Sequence, residues 1–420
     1  MVRNFESFDK GLLLIPFLII IVPTFNSIDR IGDQYFYLSI YLFCSFLWIL
    51  TTKNIDRIFG LWKSFVKNPI AIGYIGILFF GLVSSMFAEN KKESFVILSQ
   101  LGTVFLTFLV VFTLSKSISN PIEYIFKCFY FLLLLEISIS LIPLYIDIDL
   151  GQVATRSQRY IGLMSNINIT AFSLLYKVPV LLYFINKKPS LLFRGFNYFL
   201  LFNLILLITI IGSRASYIGV FIFGLFLVYR IVFIEKKQKQ KKRIPFTLLG
   251  IMISSILFNI FISNQSDNTN FVDRTAQISV DRTDGSINQR LTYYSASYSF
   301  IVENFFFGIG LGNWKLRSIE KVKNNIDAYI IPYYSHNDFL QIFSEIGFFG
   351  FLSYLSIYIS ALLSILKNWR MEVYSYLFVF IIFYSIDSML NFPMGRLASH
   401  LQFTLYLSLL FLLKPKKANG

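Results

Sequence analysis

Phe196-Asn-Tyr-Phe-Leu-Leu-Phe-Asn-Leu-Ile-Leu-Leu-Ile-Thr-Ile-Ile-Gly212-Ser-Arg214-Ala-Ser-Tyr-Ile-Gly-Val-Phe-Ile-Phe-Gly-Leu-Phe-Leu-Val-Tyr-Arg230-Ile-Val-Phe-Ile-Glu235-Lys-Lys-Gln-Lys-Gln-Lys-Lys-Arg243 decides the fold. It holds two apolar runs, each close to the ~20 residues that carry a helix across a ~30 Å hydrocarbon layer. Gly212-Ser213-Arg214 joins them with almost no loop, so they form an antiparallel pair of spans. Arg214 then sits at a membrane boundary or in a cavity open to it. The pair ends in Lys236, Lys237, Lys239, Lys241, Lys242 and Arg243, a block that belongs on the cytoplasmic side.

The same reading extends in both directions. Apolar runs at 11–25, 35–51, 70–88, 95–114, 125–146, 169–186, 245–262, 339–366, 373–391 and 397–413 bring the expected total to about twelve spans. The expected fold class is all-α, a polytopic transmembrane bundle forming a single integral membrane domain over 1–420. Charged residues precede the first run but no small-residue cleavage site follows, so it reads as a retained span. With the basic block inside, basic residues far outnumber acidic ones on the inner side and the two balance outside, as topology requires. The net charge of +15 therefore reports orientation, not nucleic-acid binding. Cys44 and Cys128 lie within apolar runs, which argues against a disulfide framework.

One outer loop, 263–335, is long and polar. Within it, Leu291, Tyr294, Tyr298 and Ile301 give a helical period, so an amphipathic helix at the membrane surface is expected over about 287–307. The Gly308-Ile-Gly-Leu-Gly312-Asn313 run follows. It precedes no βαβ unit, so it reads as a tight turn and not as a dinucleotide fingerprint.

The loop re-enters the membrane through Tyr334-Ser-His336-Asn337-Asp338-Phe-Leu-Gln341-Ile-Phe-Ser-Glu345-Ile-Gly347. Asp338, Gln341 and Glu345 share one helix face at i, i+3 and i+7. Polar groups at the mouth of a span are costly unless they face protein or water, which marks the segment for chemistry. His336 suits deprotonation of a hydroxyl, since its ordinary pKa lies near neutrality. Arg214 and Arg290 suit an anion, because guanidinium binds phosphate in bidentate fashion. His400 has no functional neighbour and reads as structural. Asp387 and Arg396 bracket the short hairpin Asn391-Phe-Pro-Met394, where they could pair or line a cavity. Two histidines and two intramembrane cysteines argue against a zinc site.

Four features resemble, in order, the O-antigen ligase and O-antigen polymerase superfamily of bacterial membrane glycosyltransferases. They are Arg159-Tyr-Ile-Gly-Leu-Met-Ser-Asn166-Ile-Asn168, Gly212-Ser-Arg214, Asn288-Gln-Arg290 leading to Gly308-Ile-Gly-Leu-Gly-Asn313, and His336-Asn337 leading to Glu345-Ile-Gly347. The resemblance covers roughly 155–400. Ala215 stands where a glycine is common, and Ile167 where a proline often precedes the asparagine.

The resemblance implies metal-independent, cofactor-free sugar transfer at the periplasmic face of the inner membrane, within lipopolysaccharide biosynthesis. The donor is a glycan on undecaprenyl diphosphate. Arg214 and Arg290 match residues that hold the diphosphate, and His336 matches the acceptor's base. Arg159, Asn337, Asp338, Glu345 and Arg396 are candidate supporting residues. The acceptor is a lipid A-core sugar in a ligase or a second lipid-linked glycan in a polymerase. A protein hydroxyl, as in a protein O-oligosaccharyltransferase, also remains open. A polysaccharide transporter is the rival from another class, but it calls for charges at mid-membrane on several helices. Here Glu136 and Lys177 are the main such residues.

Overall fold

The structure, a computed structural model, describes residues 2–22, 30–164, 166–187, 190–234, 243–265, 271–276, 285–322 and 332–413. Most of the basic block, 235–242, lies outside the described residues. The described chain is helical, without a strand. Its helices are α1 Val2–Ile20, α2 Arg30–Thr52, α3 Ile55–Val66, α4 Pro69–Phe87, α5 Lys91–Ser115, α6 Pro121–Asp149, α7 Ile167–Leu175, α8 Val178–Asn186, α9 Leu191–Ile211, α10 Arg214–Tyr229, α11 Arg243–Gln265, α12 Phe271–Ala276, α13 Gly285–Glu303, α14 Trp314–Val322, α15 Asp338–Lys367, α16 Glu372–Leu390 and α17 Leu397–Leu412. Among the described residues, ten helices are long and apolar enough to cross a membrane, with α7 and α8 together forming one of them. The apolar α17 is shorter, and α1 carries Glu6, Asp9 and Lys10. The chain is a multi-pass helical membrane protein.

Contacts group the chain into two units, 1–125 with 280–369 and 388–420, and 126–279 with 370–387. In the first unit α4 packs against α15. Asn68 caps α4 by accepting from the Ile70 amide, and Pro69 opens the helix where no amide donor is needed. Gly73 and Gly76 face Ser353, Ser356 and Ile357 so closely that a Cβ would come within 2.4–2.7 Å of their side-chain atoms. Small residues replace the missing hydrophobic force between helices in lipid by letting them approach. Hydropathy does not foresee α3. Its Ile58 and Phe65 are buried while Ile55 and Phe59 are exposed, and Phe65 joins an aromatic cluster with Phe105, Phe108, Phe112 and Phe411.

The long loop is built on α13 and α14. The buried face of α13 is Tyr293, Ala296, Ser297, Phe300 and Ile301; of the period expected from the sequence, Ile301 is buried and Tyr294 half-buried. Leu291 and Tyr298 are 40% and 66% exposed. Tyr293, Phe300, Ile309, Trp314 and Val322 form a small core of their own, fixed by the Trp314 Nε1 hydrogen bond to Ser297 Oγ (2.8 Å).

In the second unit Glu136 of α6 pairs with Lys177, at the break between α7 and α8 (2.8 Å). The ammonium also donates to Ser173 Oγ (2.7 Å) and to the Ser173 carbonyl (2.9 Å). The Lys177 side chain is 0% exposed. Removing one partner of such a pair strands a charge in apolar surroundings and costs about 3–5 kcal/mol, whereas an apolar replacement of both is close to neutral. We therefore expect Lys177→Met alone to melt far below the wild type in detergent. The double variant Glu136→Leu, Lys177→Met should recover most of the loss. Equal melting of single and double variants would mean that the pair carries no such coupling.

Candidate active site

His336 ends the long loop with a left-handed backbone, φ 56°, a conformation that costs a non-glycine residue energy and recurs at functional sites. Three bonds hold it. Ser335 Oγ donates to the Asn337 carbonyl (2.8 Å), the Asn337 side chain accepts from the Leu340 amide as the α15 cap (3.1 Å), and the Tyr294 hydroxyl donates to the His336 carbonyl (3.2 Å). The imidazole stacks on Tyr293 (5.9 Å between centroids, 16°) and meets Phe392 edge-on (5.0 Å, 82°). Its Nδ1 is buried without a hydrogen-bond partner. Burial first, then the charges of Arg290 and Arg396, lower the His336 pKa to about 4. The ring is therefore a neutral proton acceptor at physiological pH. Arg396 is buried and stacks over Phe392 (3.8 Å). No sequence pattern marks Tyr293 and Phe392 as the walls of this site, because both read as ordinary apolar positions.

The two carboxylates of the segment are spent on structure. Asp338 is buried and accepts from the Met394 amide (2.9 Å), tying α15 to the 393–395 turn. Glu345 accepts from the Gly312 amide (2.9 Å) and the Trp314 amide (3.1 Å), and Gln341 approaches it at 3.4 Å. It thereby caps α14 and fastens the glycine-rich turn. That turn also gives backbone bonds from Ile309 to Ser344 (2.9 Å) and from Gly310 to Glu345 (3.0 Å). Two motifs far apart in sequence, Gly308 to Asn313 and Glu345 to Gly347, are thus one interlocked element that supports His336. Asn313 extends it by accepting from the Asn90 amide (2.7 Å) and donating to Ser94 Oγ (2.9 Å).

Arg214 and Arg159 belong to the second unit. Gly212 ends α9 in the left-handed region (φ 72°) and Arg214 opens α10. Ser213 Oγ donates to Asn168 Oδ1 (2.7 Å), and Asn166 caps α7. Two of the quoted motifs therefore meet here as well. The Arg159 guanidinium is bound to Asp147 (2.6 Å), which also accepts from the Tyr160 hydroxyl (2.7 Å). The same outer segment carries Arg156. It is an exposed residue at φ 66° whose amide donates to the Ile210 carbonyl (3.0 Å). Its Cγ lies 2.9 Å from where a Gly212 Cβ would stand. Asp387 accepts from the Tyr176 hydroxyl. In the first unit His400 is buried against Tyr74 (3.2 Å), in keeping with a structural role. Among the described residues no group of His, Cys, Asp and Glu is arranged to hold a metal ion.

The O-antigen ligase family profile matches residues 199–355, a segment that contains Arg214, Arg290, the glycine-rich turn, His336 and Glu345. No curated protein matches the chain. The matched family implies glycosyltransferase-type chemistry on lipid-linked glycans at a membrane. Over residues 199–355 the chain is similar to the O-antigen ligase family.

Proposed function

We propose that the protein transfers a glycan from undecaprenyl diphosphate to an acceptor hydroxyl at the periplasmic face of the inner membrane, with a lipid A-core sugar as acceptor. One observation carries this reading: within the family-matched segment, a neutral, partly buried His336 stands beside Arg290, with Arg396 adjoining. A neutral imidazole takes the acceptor's proton. The freed oxygen attacks the anomeric carbon while the bond from that carbon to the diphosphate breaks, and the electron pair leaves on the diphosphate oxygen. Direct displacement inverts the anomeric centre. The departing charge falls on Arg290, and a fixed cation outside bulk water stabilises it better than solvent does.

Removing one such donor costs about 10²-fold or more in rate. Arg290→Ala is expected to lose at least that much single-turnover transfer. Arg290→Lys should keep an intermediate rate, because a lysine holds the charge without the planar fork. Equal rates for the two would remove the bidentate contact from the account.

The decisive experiment is the surface-glycan profile of a deletion strain complemented with wild type or His336→Ala. Loss of all polymer on lipid A-core, with long chains retained on the carrier, supports the ligase. Core bearing a single repeat unit moves the assignment to polymerase, and unglycosylated outer proteins beside normal lipopolysaccharide to protein O-glycosylation. An unchanged glycan profile defeats the glycosyltransferase reading and favours transport.

A further inference from the structure

Behind the His336 loop lies a partly enclosed pocket that none of the steps above uses. Tyr35 of α2, Glu93 and Gln100 of α5, Lys315 of α14, and Tyr333 and Tyr334 of the loop line it. Every one of them belongs to the first unit. Its free volume is about 80 Å³, room for several waters or for one edge of a sugar ring entering from the open side, but too little to enclose a whole ring, an acyl chain or a glycan. Gln100 is a polar residue in an apolar helix. It shares a face with Glu93 and Ile97 at i, i+4 and i+7. Glu93 and Lys315 are paired (2.7 Å). The Gln100 amide and the hydroxyls of Tyr35, Tyr333 and Tyr334 make no hydrogen bond to another described residue. Asp338 and Glu345 of α15 complete the lining, so the pocket carries aromatic faces, three carboxylates beside one ammonium, and unspent donors and acceptors. Tyr334 also stacks on Phe392 (4.2 Å, 13°), and Phe392 touches the His336 ring (5.0 Å). A single aromatic pair therefore connects the pocket to the proposed base.

We infer that this pocket seats one edge of a pyranose ring of the acceptor and so selects the sugar whose hydroxyl is presented to His336. Flat apolar rings match the C–H face of a pyranose, while amide, carboxylate, ammonium and phenol groups match its ring of hydroxyls. An anionic ligand fits less well, because Glu93 already occupies Lys315. The inference rests on the glycosyltransferase reading for its meaning, but the pocket can be tested by binding alone.

The test uses the full chain in lipid nanodiscs, with methyl glycosides of hexoses and N-acetylhexosamines as probes. Saturation-transfer NMR should detect one or more of them on the wild type, and Gln100→Trp, which fills the pocket, should abolish the signal. In transfer assays from a lipid-linked glycan, Gln100→Trp should raise the acceptor KM by about tenfold or more and leave the donor KM in place. Gln100→Ala should raise the acceptor KM by about threefold, the loss of one hydrogen bond. This milder change covers the case in which the tryptophan variant fails to insert. Glycosides that bind wild type and both variants alike would overturn the inference, as would competition against donor instead of acceptor. So would the absence of binding by every glycoside. If wild type transfers nothing from the lipid-linked donor, the glycosyltransferase reading fails, and the NMR comparison still decides whether the pocket holds a sugar.

Discussion

His336→Ala abolishes glycan transfer while the protein inserts and melts like wild type. That is the expected result, and it comes with a pH signature. A positioned base contributes about 10²–10⁴-fold, and no other described residue stands ready to replace it. Asp338 and Glu345 are committed to the Met394, Gly312 and Trp314 amides. The pKa of His336 is lowered to about 4, by burial first and by Arg290 and Arg396 after it. The free base is thus fully present at neutral pH and is lost only as pH falls toward that value. The acid limb of kcat/KM, which reports the free enzyme, should lie near pH 4, with no inflection near the ordinary histidine value of 6.5. Arg290→Gln removes a positive neighbour that opposes protonation, so the limb should move upward. It should stop short of 6.5 because burial remains. A wild-type limb at 6.5, or a downward move in Arg290→Gln, would defeat this account, as would substantial transfer by His336→Ala in normally inserted protein.

Ten of the expected spans and the polar residues at their ends were legible in the sequence because lipid imposes a simple rule on length and composition. The rule says less about which way a helix turns. In α13 both Leu291 and Tyr293 are apolar, and only the presence of Trp314 and Ile309 decides that Tyr293 faces inward. The loop between α2 and α4 hid α3, since twelve residues are too few to span a membrane and amphipathic rather than uniformly apolar. Residue roles were legible only as types. Arg159 and Glu345 carry the charges a site needs, yet Arg159 is held by Asp147 and Glu345 by the Gly312 and Trp314 amides. Those partners lie far enough along the chain that no local pattern announces them. The stacking of His336 on Tyr293 and the approach of Arg396 to Phe392 are likewise products of tertiary structure.

Gly347→Ala should be the most damaging substitution outside the residues proposed to touch substrate. Gly347 interrupts α15 at φ 71°, ψ −172°, a region that residues with a Cβ essentially do not enter and that costs of order 1–3 kcal/mol where they are forced into it. The added Cβ would also lie 2.1 Å from the Phe306 carbonyl oxygen and 2.7 Å from the Phe307 nitrogen. These are backbone atoms, so no side chain can swing aside to relieve the contact. Gly308 is placed reciprocally, with a Cβ position 2.3 Å from the Glu345 carbonyl oxygen. Each strand of the crossing therefore needs a glycine where the other passes. Separating them breaks the Phe348-to-Phe305 bond (2.8 Å) and loosens the Ile309 and Gly310 bonds beside it. The first turns of α15, which carry the cap below His336, then lose their support. The expected outcome is a destabilisation above about 4 kcal/mol, in the range reserved for clashes of this kind, together with loss of transfer. Gly102→Ala is the control: its Cβ meets nothing within 4 Å, and alanine in a helix interior is favoured by up to about 1 kcal/mol. Thermal melting and single-turnover transfer on both variants settle the point. Wild-type melting and wild-type rate in Gly347→Ala would show that the two glycine motifs are not interlocked in the working enzyme.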